Sequence, residues 1–155
     1  SKSRALEFSN KWVGKISPAQ ATPMELCVRG QILSLFGRHI EAIDVLMKAS
    51  GCKRLDSDTE ALVMLALAEA QMKSGEDRDF PESNFKKARG LAMRASPETQ
   101  VKVLASYALY LWRECEKPSE RKMASNLAYE ATMIAMEHGL EDELLKLRRV
   151  SRLVI

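Results

Sequence analysis

Aromatic residues are scarce in this chain, at 6%, and no stretch alternates Val, Ile or Thr with polar residues. Half-buried strands draw on both features, so their shortage argues against a β-sheet protein. Cysteine is sparse as well. Cys27, Cys52 and Cys115 lie far apart, make an odd count and form no C-x-x-C pair. That argues against a disulfide framework and for a reducing, intracellular compartment, cytoplasmic or nuclear. No apolar run approaches the ~18 residues of a membrane span; the longest, residues 61–68, is far shorter. No signal-peptide pattern opens the chain, and it starts on Ser1 instead of Met, so a domain cut from a longer protein is expected. A large charge of one sign is missing too. The net charge of +3 is too small to argue for a nucleic-acid partner.

What remains is helix-forming material. Hydrophobic residues make up 46% and charged residues 29% of 155 positions, and Ala, Leu and Met are plentiful. These three lose little freedom in a helix. The length suits one compact domain. The positive excess sits at the N-terminal end, where residues 1–54 hold nine Lys and Arg against four Asp and Glu.

Small and apolar residues recur with helical-hairpin spacing. One set runs Leu26, Gly30, Leu33, Gly37, then Ala42, Leu46, Ala49. A second runs Met64, Ala68, Gln71, Gly75, then Ala88, Ala92, Ala95. Each describes two helices meeting at small residues, with a glycine ending the first. Stacked hairpins of this kind build solenoids.

The punctuation predicts eight helices in one domain. They are flanking helices 3–16 and 141–154 around hairpins 23–50, 57–95 and 97–138. Thr22 before Pro23, with Glu25 three residues on, forms an N-terminal capping signal. Ser57 or Asp58 is expected to cap the next hairpin. Pro81 is expected to open a helix reaching Arg94, and Ser96 to cap the one after it. Gly37, Gly75 and His138-Gly139 mark helix ends. Mid-helix Gly30 costs about 1 kcal/mol relative to Ala, which a close helix approach would offset. Residues 61–68 are apolar on nearly every side, as in a helix buried between neighbours.

Catalytic motifs are missing. The chain has no phosphate loop, dinucleotide fingerprint or nucleophile elbow. His39 and His138 lie at helix junctions without metal-ligand spacing. The expectation is therefore no enzyme, no metal and no cofactor. Arg148-Arg149-Val150-Ser151 has the form of a basophilic-kinase site, which makes Ser151 a candidate phosphorylation site. Residues 141–154 form a basic amphipath, suited to capping the domain, starting a further hairpin, or meeting a partner helix or membrane surface.

The hairpin pattern resembles tetratricopeptide repeats over about two-thirds of the chain. Leu26 to Ala49 is the best stretch, and the hairpin after it departs by an insert following Gly75. The resemblance implies an all-α, right-handed superhelix of about eight antiparallel helices. It further implies a partner-binding concave surface made by Cys27, Gln31, Leu35, Leu65, Glu69, Met72, Leu109 and Arg113. Chaperone-binding members clamp a terminal carboxylate with Lys, Asn and Arg. Here Cys27, Gln31 and Glu69 stand on the matching faces, so a mixed apolar groove for a helix or extended segment fits better. The expected function is a non-catalytic protein-interaction module, within a multi-subunit complex or not. A ligand- or peptide-sensing domain of a regulator is the alternative, and nucleic-acid binding through the basic N-terminal end is the third reading.

Overall fold

The computed structural model describes residues 21–154, and these form seven α-helices with no strand among them. In chain order they are α1 (Pro23–Leu35), α2 (His39–Ser50), α3 (Ser57–Ser74), α4 (Asp79–Ala92), α5 (Pro97–Glu114), α6 (Pro118–Glu137) and α7 (Glu141–Val154). The helix expected at 3–16 lies outside the described residues. The chain divides into two compact units between Ala88 and Arg89, within α4. The expected hairpin 57–95 straddles that division.

In the first unit, local chemistry sets the helix ends. Thr22 caps α1 as a full capping box: its Oγ1 accepts from the Glu25 N–H at 3.2 Å, and Glu25 Oε2 accepts from the Thr22 N–H at 3.0 Å. The N-cap of α3 is Asp56, instead of the expected Ser57 or Asp58. Asp56 Oδ1 accepts from the Thr59 N–H and Oδ2 from the Thr59 hydroxyl, both at 2.8 Å. Only Asp56 has this double donor three residues ahead. Gly37 and Gly75 follow the ends of α1 and α3 at φ of +78° and +76°, a region that favours glycine. Each allows the next N–H to reach back to a carbonyl five residues earlier, Arg38 to Leu33 at 3.0 Å and Glu76 to Gln71 at 3.3 Å. These bonds satisfy carbonyls the helix end would leave open.

α1, α2 and α3 pack on one another in all three pairings. Their shared core joins Leu26, Cys27 and Leu33 of α1, Ala42, Leu46 and Ala49 of α2, and Val63, Ala66, Leu67 and Ala70 of α3. Leu46 is fully enclosed, and burial of a leucine side chain stabilises by roughly 2 kcal/mol. α3 buries residues on every side, as its sequence predicts. α4 begins two residues before the expected Pro81, which falls in its first turn, where a missing N–H costs nothing. It ends at Ala92 instead of Arg94. A buried side-chain bond links it to α3: Asn84 Nδ2 donates to Gln71 Oε1 at 2.6 Å.

In the second unit, α5 packs on α6 and α7, and α6 packs on α7. Ala124, Ala128, Ala131 and Ala135 form a fully buried stripe along α6. Small side chains on such a stripe allow neighbouring helices to approach closely. Cys115 leaves the helix as the extended C-cap of α5, yet it stays buried. Ser96 does precede α5, and its hydroxyl donates to that of Thr99 at 3.3 Å. The Arg121 guanidinium of α6 lies 4.8 Å from the ring centre of Trp112 on α5, a cation–π contact worth about 0.5–1 kcal/mol at an exposed site.

Candidate functional site

The eight residues that the sequence marks for a partner surface meet different fates. In the first unit, Cys27 and Leu65 are buried, at 1% and 6% exposure, and present no surface. Cys27 belongs to the core of α1, α2 and α3. Burial, and then the nearby Glu69 carboxylate, push its thiol up to about 11. Cys27 of α1 and Glu69 of α3 thus lie within electrostatic reach of one another. Glu69 and Met72 are half-buried, and Gln31 is exposed. Leu35 stands 70% exposed at the end of α1. In the second unit, Leu109 is half-buried and Arg113 exposed. Of the basic N-terminal end behind the nucleic-acid reading, residues 1–20 lie outside the described residues, and Arg29, Arg38, Lys48, Lys53 and Arg54 lie within them.

The second unit holds a different concavity. It lies between α6 and α7, with a volume of about 620 Å³. Gly139, at φ +63°, turns the chain between these helices. α7 then seats Leu147 and Val150 as buried residues. On the open side, α6 contributes Thr132 and Met136, one helical turn apart. From α7 come Leu144, Leu147, Arg148, Ser151 and Arg152, at the i, i+3, i+4, i+7, i+8 spacing of one helix face. The Thr132 hydroxyl donates to the Ala128 carbonyl of its own helix at 2.8 Å. Next to the groove, Tyr129, Met133 and Met136 run along α6 at i, i+4, i+7 and are all exposed. Leu145 on α7 is exposed as well.

The charge of this groove is one-sided. Arg148 and Arg152 line it, and no carboxylate does. Neither arginine forms an ion pair among the described residues. By contrast, Lys146 reaches Glu143 at 3.5 Å on the same helix. The lining contains no histidine or cysteine, so it offers no nucleophile–base pair. No group of three or more His, Cys, Asp or Glu that could hold a metal ion occurs among the described residues. No described helix is long and apolar enough to cross a membrane.

The sequence showed part of this. The amphipathic helix at 141–154 is legible in the sequence. The groove itself was not, because it depends on which apolar residues stay uncovered once α6 and α7 have packed. One usable signal was present: Leu144, Leu145, Leu147, Val150 and Leu153 spread around more of the helix than one neighbour covers. Comparison of the chain with family models, with curated proteins and with solved structures finds no match to any of them.

Proposed function

We propose that this chain is a non-catalytic protein-interaction module of the tetratricopeptide-like kind, and that it holds a partner segment in the groove between α6 and α7. One observation carries the reading: an open groove of about 620 Å³ with Met136, Leu144 and Leu147 in its lining, continued by exposed Tyr129 and Met133. Contiguous exposed apolar surface with a polar rim is characteristic of interaction sites. Methionine suits such a surface because its unbranched, polarisable side chain adapts to different partners. The repeat-like reading is supported within each unit by a hairpin whose two helices both pack on the helix that follows, α1 and α2 on α3, α5 and α6 on α7. Partner binding through Gln31, Leu35 and Met72 stays part of the proposal for the first unit, without the buried Cys27 and Leu65.

The test is selection of peptides from a random display library against the 155-residue chain. Enriched peptides should bind wild type and lose binding to Met136→Asp, whose side chain is already exposed and whose helicity should be unchanged. Failure to enrich any peptide, or peptides indifferent to Met136→Asp, would reject the groove as the binding site.

A further inference from the structure

We infer that the occupant of the α6–α7 groove is an acidic amphipathic helix of another protein; this rests on the interaction reading above. Three observations narrow the chemistry. The first is charge. Arg148 and Arg152 are the only charged residues lining the groove, and both are exposed. They stand one turn apart on the same face of α7. Two unneutralised guanidinium groups at the rim favour a partner carrying carboxylates at matching spacing, because Arg binds carboxylate in a planar, two-pronged geometry.

The second is shape. The groove is walled by two helices and lined by side chains, and no strand edge occurs among the described residues. An extended peptide lying there would find no main-chain ladder for its own N–H and C=O groups. A helix satisfies those groups internally and presents apolar side chains at i, i+3, i+4 and i+7. Leu144 to Arg152 spans about 12 Å along α7, a little over two helical turns, which is enough for such a set of anchors. The third observation is the apolar lining. Met136, Leu144 and Leu147 give a phosphate backbone nothing to bind, whereas leucine-like anchors would fill the space.

A second copy of this chain is a poorer occupant. Among the described residues, exposed apolar residues beside carboxylates occur on α2, where Ile40 and Met47 lie beside Glu41 and Asp44, and on α6, where Tyr129 and Met136 lie beside Glu130 and Glu137. Glu41 and Asp44 are already paired with Arg38 and Lys48. Glu130 is paired with Arg89, and the α6 set borders the groove itself.

The experiment titrates the 155-residue chain with three synthetic helical peptides of about four turns. One has a leucine face flanked by Glu, the second has Lys in place of Glu, and the third keeps Glu but replaces Leu with Ser. The Glu–Leu peptide should bind, weaken as salt rises, and lose at least about tenfold in affinity to R148E/R152E. The Lys–Leu peptide should regain binding on that variant, which also shows that the variant is folded. Equal binding of the Glu and Lys peptides to wild type would overturn the acidic partner while leaving an apolar interaction groove. Failure of all three peptides would overturn the groove reading itself. A chain that sediments as a dimer, undisturbed by the Glu–Leu peptide, would assign the groove to a second copy. Capture by phosphatidylserine vesicles that depends on Arg148 and Arg152, without peptide binding, would assign the arginines to a lipid surface. Either result would overturn the proposal.

Discussion

Gly30 of α1 sits directly against the side chain of Leu46 of α2: a Cβ placed on Gly30 would lie 2.5 Å from Leu46 Cγ and 2.6 Å from its Cδ2. The glycine is in mid-helix, where alanine would ordinarily stabilise by about 1 kcal/mol. Leu46 is fully enclosed, so an added methyl must displace packed atoms, and overpacking a tight core costs about 1–3 kcal/mol. Gly30→Ala should therefore destabilise the protein. Gly90, in α4, has nothing within 4 Å of its would-be Cβ, so Gly90→Ala should stabilise by up to about 1 kcal/mol. Urea denaturation of the two variants checks the opposite signs. In a Leu46→Ala background the Gly30→Ala penalty should vanish, as a double-mutant cycle would reveal.

Asp56 makes the cap of α3 sensitive to pH. Its carboxylate accepts from both the N–H and the hydroxyl of Thr59, and these bonds hold it below its ordinary value of 3.8. A depressed carboxylate contributes stability that is full above the unfolded value and is lost as pH falls through the folded one. Melting temperature should thus drop on acidification below about pH 4 more steeply in wild type than in Asp56→Asn. Asparagine caps well without titrating. Glu41, held down by its hydrogen bond to Arg38, titrates in the same direction in both proteins, so the difference between the two curves isolates Asp56. Parallel curves would show that the Asp56 carboxylate does not matter to folding.

How much of this architecture could be read in advance depended on how local the determining interaction is. The Thr22-Pro23-Glu25 start, the Gly37 and Gly75 stops and the close approach at Gly30 each rest on a few neighbouring residues or on an otherwise costly glycine, and each was legible. The α3 cap was misplaced because Asp56, Ser57 and Asp58 are all competent caps, and the choice rests on Thr59 lying three residues beyond the first. Leu65 joins the binding face through the resemblance alone, and because α3 is apolar on all sides its sequence distinguishes no face. The α6–α7 groove was missed for the opposite reason: it is made of what packing leaves over.

The buried amide pair between α3 and α4 should behave as a unit. Gln71 and Asn84 are 6% and 8% exposed, and Asn84 donates to Gln71 at 2.6 Å. Asn84→Leu alone strands the Gln71 carbonyl oxygen in the interior, a change expected to cost about 1–3 kcal/mol. Replacing both by Leu removes the stranded group, so the double variant should be more stable than Asn84→Leu. Thermal or urea unfolding of the three proteins decides it. If the single and double variants were equally destabilised, the bond would contribute only packing volume.

The three cysteines should separate by rate of alkylation, which also tests where Cys27 lies. Cys27 and Cys115 are each 1% exposed, whereas Cys52 is half-buried at the end of α2. Only a thiolate reacts, and the Cys27 thiol is held up near 11 by burial and by Glu69. At neutral pH, iodoacetamide should therefore label Cys52 first in the native protein. Cys27 and Cys115 should react only at the rate at which the structure opens. Peptide mass spectrometry after timed quenching gives the order directly. In urea all three should label quickly. Glu69→Gln should lower the Cys27 thiol without exposing it, leaving native-state labelling still limited by opening. Fast native labelling of Cys27 would put its thiol on an accessible surface, return it to the partner-binding set read from the sequence, and contradict its place in the core of α1, α2 and α3.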